Sequence, residues 1–126
     1  MSTLKVNTIQ NTSAAHSSTP EEIAQGRAKA WVNFNGEGTI AIRDSFNVSS
    51  ITDVATGRYT IVFSNAMSNA NYAFSGTAGN EGNTTGTHTI VPDAALSTSQ
   101  LSIRVIQTSS STTDQDYVSV IVFGDQ

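Results

Sequence analysis

The chain contains no cysteine. Disulfides, thiolate metal centres and thiol chemistry are therefore excluded. Its two histidines, His16 and His88, are too few for a Cys₂His₂ or His₃ zinc centre. Charge is scarce as well: 13% of residues are Asp, Glu, Lys or Arg, about half the usual share for a soluble domain. Six Lys and Arg against ten Asp and Glu leave a net charge of −4. That is the wrong sign for a surface that must neutralise a row of phosphates, so nucleic acid is not an expected partner. No apolar run approaches the roughly 18 residues of a membrane-spanning helix, so no membrane insertion is expected. Met1 to Lys5 hold one lysine and no apolar stretch. No secretory signal is read there, and synthesis in a cytoplasm is the expectation. The three Asn-x-Ser/Thr sites, at Asn11, Asn47 and Asn83, then read as by-products of composition.

The polarity missing from charge comes from 17 Ser, 17 Thr and 10 Asn in 126 residues. Threonine suits pleated surfaces, while serine and asparagine suit turns. From Ala28 onward, short runs of period two alternate with Gly, Asn and Ser. Strands are expected near 28–35, 39–43, 47–53, 58–64, 71–76, 87–92, 100–107 and 116–124. Eight short strands in under a hundred residues predict an all-β fold, an antiparallel β-sandwich or flattened barrel. The alternation turns Val32, Phe34, Ile40, Ile42, Tyr59, Ile61, Phe63, Tyr72, Phe74, Leu101, Ile103, Val105, Val118, Val120 and Val122 inward, with Met67 plugging one end. The organisation expected is an arm and linker over 1–19, a short helix over 20–27 and the sandwich over 28–126.

Within the arm, residues 4–9 look extended, with Leu4 and Val6 on one face and Ile9 at the end. A strand standing apart from its domain needs a partner. Residues 11–19 have linker composition and carry His16, which reads as solvated. Thr19 is placed to cap a helix opened by Pro20, with Glu21 and Glu22 in its first turn, Arg27 and Lys29 near its end, and Gly26 as its terminator. Ile23 is the one large apolar residue of that helix and must find cover.

Several strands are apolar on both faces: Ile61-Val62-Phe63, Val105-Ile106 and Val120-Ile121-Val122-Phe123. Trp31 points away from the core that Val32 and Phe34 enter. Either the helix and arm cover these side chains or another subunit does. Ile23, Trp31, Val62, Ile106, Ile121 and Phe123 are the candidates for an oligomer interface. Chemistry is harder to find. No dinucleotide, phosphate-loop or nucleophile-elbow motif occurs. A serine nucleophile needs a base, and only His16 and His88 could serve; His16 has no carboxylate or cysteine neighbour, and His88, between Thr87 and Thr89, reads as structural. Asp114, Asp116 and Glu37 could face a cation, but no calcium-loop pattern surrounds them. No catalytic residue, metal or cofactor is expected, and the chain does not read as an enzyme.

At Leu4-Lys-Val-Asn-Thr-Ile-Gln-Asn-Thr, and again at Arg27-Ala-Lys-Ala-Trp-Val-Asn-Phe-Asn-Gly, the chain resembles bacteriophage tail-fibre and related virion appendage proteins, especially of marine phages. Ile42-Arg-Asp-Ser-Phe-Asn-Val-Ser-Ser-Ile-Thr-Asp and Gly57-Arg-Tyr-Thr-Ile-Val-Phe are similar to the start of their C-terminal sandwich domain. Ala66-Met-Ser-Asn-Ala-Asn-Tyr-Ala-Phe is similar to its next recurring segment. The likeness covers 4–76; beyond that only the strand pattern continues. It implies a homotrimeric virion protein, made in the bacterial cytoplasm, that attaches to other virion proteins through its N-terminal arm (Leu4, Val6, Ile9). The sandwich would then face a host-surface glycan or protein. The chain departs from a full-length fibre in having no coiled coil, collagen or β-helix repeat to serve as a shaft. An architectural capsid-decoration or head-fibre protein therefore stands as an alternative, and a small carbohydrate-binding module as another.

Strand parity bears on this. If 39–53 breaks in two at Arg43-Asp44-Ser45, the loops at 36–38, 54–57, 77–86 and 108–115 gather at the end opposite the arm, as a host-facing tip requires. Asn80, Glu81, Asn83, Thr85, Asp114 and Asp116 are then the candidate receptor contacts. The glycines of the 77–86 loop make it adaptable, and its side chains suit hydroxyl-rich ligands.

Overall fold

A computed structural model describes residues 1–82, 87–107 and 111–126. The elements are β1 (Ile9–Gln10), β2 (Ser17–Ser18), α1 (Pro20–Gly26), β3 (Ala30–Asn35), β4 (Ala41–Phe46), β5 (Val48–Ala55), β6 (Arg58–Phe63), β7 (Ala73–Gly79), β8 (His88–Pro92), β9 (Gln100–Gln107), β10 (Ser111–Thr112) and β11 (Tyr117–Phe123). Every pairing is antiparallel. One sheet runs β4–β3–β11–β7; in the other, β9 pairs with β6, β8 and β10, and β6 pairs with β5. The expected all-β sandwich is the fold.

Alternation drives it. Along β3, β6, β9 and β11 every second side chain is buried. Val32 and Phe34, Tyr59 and Ile61, Leu101, Ile103 and Val105, and Val118, Val120 and Val122 meet between the sheets. Phe34 meets Tyr59 edge-to-face at 5.1 Å, and Phe63 meets Tyr72 the same way at 5.8 Å. Met67 closes the core as expected, and Ile40 and Phe74 pack on its margin. Ile42 is a correction: it is 39% exposed. It lies opposite buried Phe34, but on edge strand β4, which has a neighbour on one side only and so leaves it part-covered.

The break in the 39–53 segment exists, but it falls at Asn47, two residues past the expected place. Asn47 adopts φ 56°, a left-handed conformation that Asn tolerates better than most residues. There the chain leaves one sheet as β4 and enters the other as β5. The corner is pinned by Asn47 itself. Its side-chain amide donates to Lys29 O and Asn65 O, both at 3.0 Å, and its Oδ1 accepts from Asn65 N at 2.7 Å.

The arm is also a correction. Residues 4–9 do not form a full strand; only Ile9–Gln10 pairs, with Ser17–Ser18 of the arm itself. Helix α1 begins as expected, at Thr19. The threonine hydroxyl accepts from Glu22 N at 3.2 Å, and Glu22 Oε2 accepts from Thr19 N at 2.7 Å. That backbone N–H, with the Thr19 hydroxyl, holds the Glu22 carboxyl below its usual range. Arg27 is the residue at which the helix ends, and buried Lys29 donates Nζ to Ala24 O at 2.6 Å, satisfying a terminal carbonyl.

Candidate functional site

The corner at Asn47 fixes which loops share an end. The arm, α1 and the ends of β6 and β11 lie together: Lys29 N donates to Val122 O and Gln25 Nε2 to Asp125 Oδ1. The β3–β4, β5–β6 and β10–β11 connections, with Asn80 after β7, lie at the opposite end, cross-linked by hydrogen bonds. Gly36 N donates to Gln115 O at 2.9 Å. Gly57 N donates to Asp114 Oδ1 at 2.6 Å, and Asp116 N to Asn80 Oδ1 at 2.8 Å. The Tyr59 hydroxyl lies 2.7 Å from Gly36 O and 2.9 Å from Asp114 Oδ1, two acceptors within reach of its one proton. Burial first, and the neighbouring Asp114 second, push the Tyr59 phenol far above its usual pKa, so it stays a donor.

The candidate contact residues consequently divide. Glu81 is exposed at the tip with Glu37. Asn80 uses its carbonyl to hold Asp116 N. Asp114 is a correction: its carboxylate is turned into the fold, bonded to Gly57 and Tyr59. Asp116 is half-buried, and its Oδ1, like Oε1 of buried Gln115, has no hydrogen-bond partner among the described residues. Asn83 and Thr85 lie outside the described residues. No group of three metal-ligating side chains occurs among those described. His88 opens β8, half-buried and opposite Gln107; His16 is exposed in the arm.

The two outer faces of the sandwich differ in kind. On the β4–β3–β11–β7 sheet, Trp31 lies opposite both Phe46 and Ile121, with Phe123 two residues along β11. Phe46 is 52% exposed, and Ile121 and Phe123 are each 37% exposed. Arg43 sits over the Tyr117 ring, its Cζ 4.2 Å from the centroid, and donates to Asn33 Oδ1. Beside Trp31 a trough of about 450 Å³ runs over the small residues of β7, lined by Asn33, Ser75, Thr77, Ser119 and Ile121.

On the other sheet the outer rungs are Arg58 opposite Arg104, Thr60 opposite Ser102 and Val62 opposite Gln100. Val62 and Ile106 are half-buried on this polar face, so they do not share a surface with Trp31, Ile121 and Phe123. Sequence alternation alone could not separate the two groups. The sequence reading also missed Asp93. It accepts from Arg58 Nε at 2.7 Å and from Arg104 Nε at 2.8 Å, and Arg104 Nη2 forms an ion pair with the same Oδ1 at 2.6 Å.

The Arg58 hydrogen bond, reinforced by Arg104, holds the Asp93 carboxyl below its ordinary range, burial opposing them. A carboxyl with a depressed pKa in the folded state adds stability above its unfolded value near ~3.9, and loses it as pH falls through the folded value. Urea midpoints measured from pH 5 downward should therefore fall more steeply for the natural protein than for Asp93→Asn. Parallel curves would deny Asp93 this role.

At the arm end, Leu4, Val6, Ile9, Pro20 and Ile23 line a second groove, of about 490 Å³. Leu4, Ile9 and Ile23 remain exposed, so the arm and helix do not cover one another. Nor do they supply a side chain to the trough beside Trp31. Comparisons with family models, curated proteins and solved structures find no match for this chain.

Proposed function

We propose that this is a virion structural protein of phage tail-fibre or spike type: a homotrimer held by its arm and displaying a β-sandwich toward a host surface. One observation carries the assembly. The two sheets have opposite outer faces, and the apolar one, with Trp31, Phe46, Ile121 and Phe123, is left uncovered by the chain's own arm and helix. Each of these half-exposed side chains gains about 1 kcal/mol on full burial. Three copies turning this face to a common axis bury it and leave the hydroxyl-rich face outward. The number three and the virion setting come from the likeness of residues 4–76 to phage appendage proteins. The separation of the arm from the loop end supports display: Leu4, Val6 and Ile9, with Pro20 and Ile23, offer an apolar docking groove to another virion protein at one end. Glu81 and Asn80 lie at the other. The function is adhesion and assembly, with no catalytic step.

Sedimentation equilibrium at micromolar concentration should return three times the 13.3 kDa chain mass. Ile121→Lys should return the monomer with cooperative unfolding retained, because the side chain lies outside the core. A monomeric natural protein overturns the trimer. The trough beside Trp31, with its amide and hydroxyl lining, favours a second reading as a carbohydrate-binding module. Trp31 is the chain's single tryptophan, so its fluorescence reports there directly. A monomer whose Trp31 emission shifts saturably with neutral oligosaccharides would put that reading first.

A further inference from the structure

The chain has six cationic side chains, and two of them, Arg58 and Arg104, are direct cross-strand partners on the outer face of the β6–β9 pair. Like charges placed opposite one another destabilise a sheet. What permits this pair is Asp93, whose side chain is 7% exposed and takes Arg58 on one oxygen and Arg104 on the other. Locking the segment after β8 onto the sheet needs one arginine; Asp93 N already donates to Ser102 O at 2.9 Å. The second arginine makes the cluster net positive, two guanidiniums against one carboxylate. Their side chains stay 42% and 39% exposed. Arg58 meets Asp93 through Nε, which leaves its two terminal nitrogens without a bond to any described residue. One rung along, Thr60 Oγ1 and Ser102 Oγ lie 3.1 Å apart, and Thr52 pairs with Thr60 on β5. Asp53, opposite inward-facing Tyr59, belongs to the other row of side chains. The face thus sets the Thr52, Thr60 and Ser102 hydroxyls beside one oriented pair of guanidiniums.

We propose that Arg58 and Arg104, oriented by Asp93, form an oxyanion subsite for the carboxylate or sulfate groups of an acidic polysaccharide. Guanidinium forks match the planar oxygens of carboxylate and the edge of sulfate, and a buried carboxylate behind them removes their rotamer freedom before binding. The Thr52, Thr60 and Ser102 hydroxyls meet neighbouring sugar hydroxyls along the same strands. This inference stands without the trimer, since the face concerned is the one opposite Trp31.

The test is titration of the full ¹⁵N-labelled chain, following the arginine Nε–H signals. The probes are oligogalacturonate, a heparin-derived oligosaccharide, a neutral maltooligosaccharide of matched length and inorganic sulfate. Either acidic oligosaccharide should shift the Arg58 and Arg104 signals saturably and more weakly as salt rises. The neutral sugar should leave them in place, and inorganic sulfate should bind at least tenfold more weakly. Arg58→Gln removes one of the three arginine contacts to Asp93 and leaves the two from Arg104 and the Asp93 N–Ser102 O bond, so it should fold; it should lose acidic-sugar affinity about tenfold or more. Arg27→Gln, an equal charge change at the helix end, should not. No shift with either acidic sugar, or equal losses in the two variants, overturns the subsite. Sulfate binding as tightly as the oligosaccharides overturns the polysaccharide as its ligand.

Discussion

Replacing Gly57 by alanine is expected to destabilise the domain by about 3–5 kcal/mol, while the same change at Gly38 costs only about 1 kcal/mol. Both glycines are left-handed, with φ +65° and +64°, so the backbone term is common to the two. The difference is what a methyl group would meet. At Gly38 nothing lies within 4 Å; at Gly57 a Cβ would sit 2.5 Å from Thr113 N and 2.6 Å from Thr113 O. Those are backbone atoms of the segment between β10 and β11, which cannot rotate aside. Moving them would also disturb Thr113 N donating to Val105 O, Val105 N donating to Gly57 O, and Gly57 N donating to Asp114. Since domains of this size are stable by only about 5–15 kcal/mol, Gly57→Ala should show a large fall in urea midpoint. Equal falls for the two variants would mean that close approach at Gly57 is not what selects glycine there.

Asp114→Ala should cost about 3–4 kcal/mol, because it removes the acceptor from a backbone N–H and a buried phenol together. Asp114→Asn keeps an oxygen in the same place and should cost less than half of that. Tyr59→Phe loses the hydroxyl that reaches Gly36 and Asp114 but leaves the Phe34 ring contact, and about 1–2 kcal/mol is expected. Combining Tyr59→Phe with Asp114→Ala should fall short of the sum by more than about 0.5 kcal/mol, since the two share one bond. Strict additivity in equilibrium unfolding would show that they act separately.

How much of this was legible beforehand depended on whether the signal was local. The buried rows of β3, β6, β9 and β11 are period-two patterns within single strands, and the sequence displays them directly. Thr19, Pro20 and Glu21 announce the helix for the same reason. Ile42 misled because alternation cannot tell an edge strand from a central one: it lies opposite buried Phe34, yet β4 has a neighbour on one side only. Asn47 was missed as the corner because Val48 and Ile51 resume a strand pattern at once. Asp114 looked like a loop carboxylate, yet its partners are 55 and 57 positions away. Asp93 has the same character: only the β6–β9 register sets Arg58 opposite Arg104 above it. Trp31, Ile121 and Phe123 were recognised as outward-facing, but the assignment of Val62 and Ile106 to the same surface needed the knowledge of which strand lies in which sheet.

The last strand, β11, lies between β3 and β7 in the four-stranded sheet. β3 and β7 have no ladder with each other, so a nascent chain that has released β3, β4 and β7 has only the β3–β4 hairpin, with β7 left unpaired. Their apolar rows stay open until Tyr117–Phe123 emerges and slides into the middle. Closure of that layer is therefore a late, long-range event that waits on nearly ninety residues of intervening chain, from Trp31 to Ile121. Folding should be slow for the domain's size and all-or-none, without a stable N-terminal half. For the same reason, ribosome-stalled chains ending before Tyr117 should be degraded or captured by chaperones instead of holding a partial sandwich.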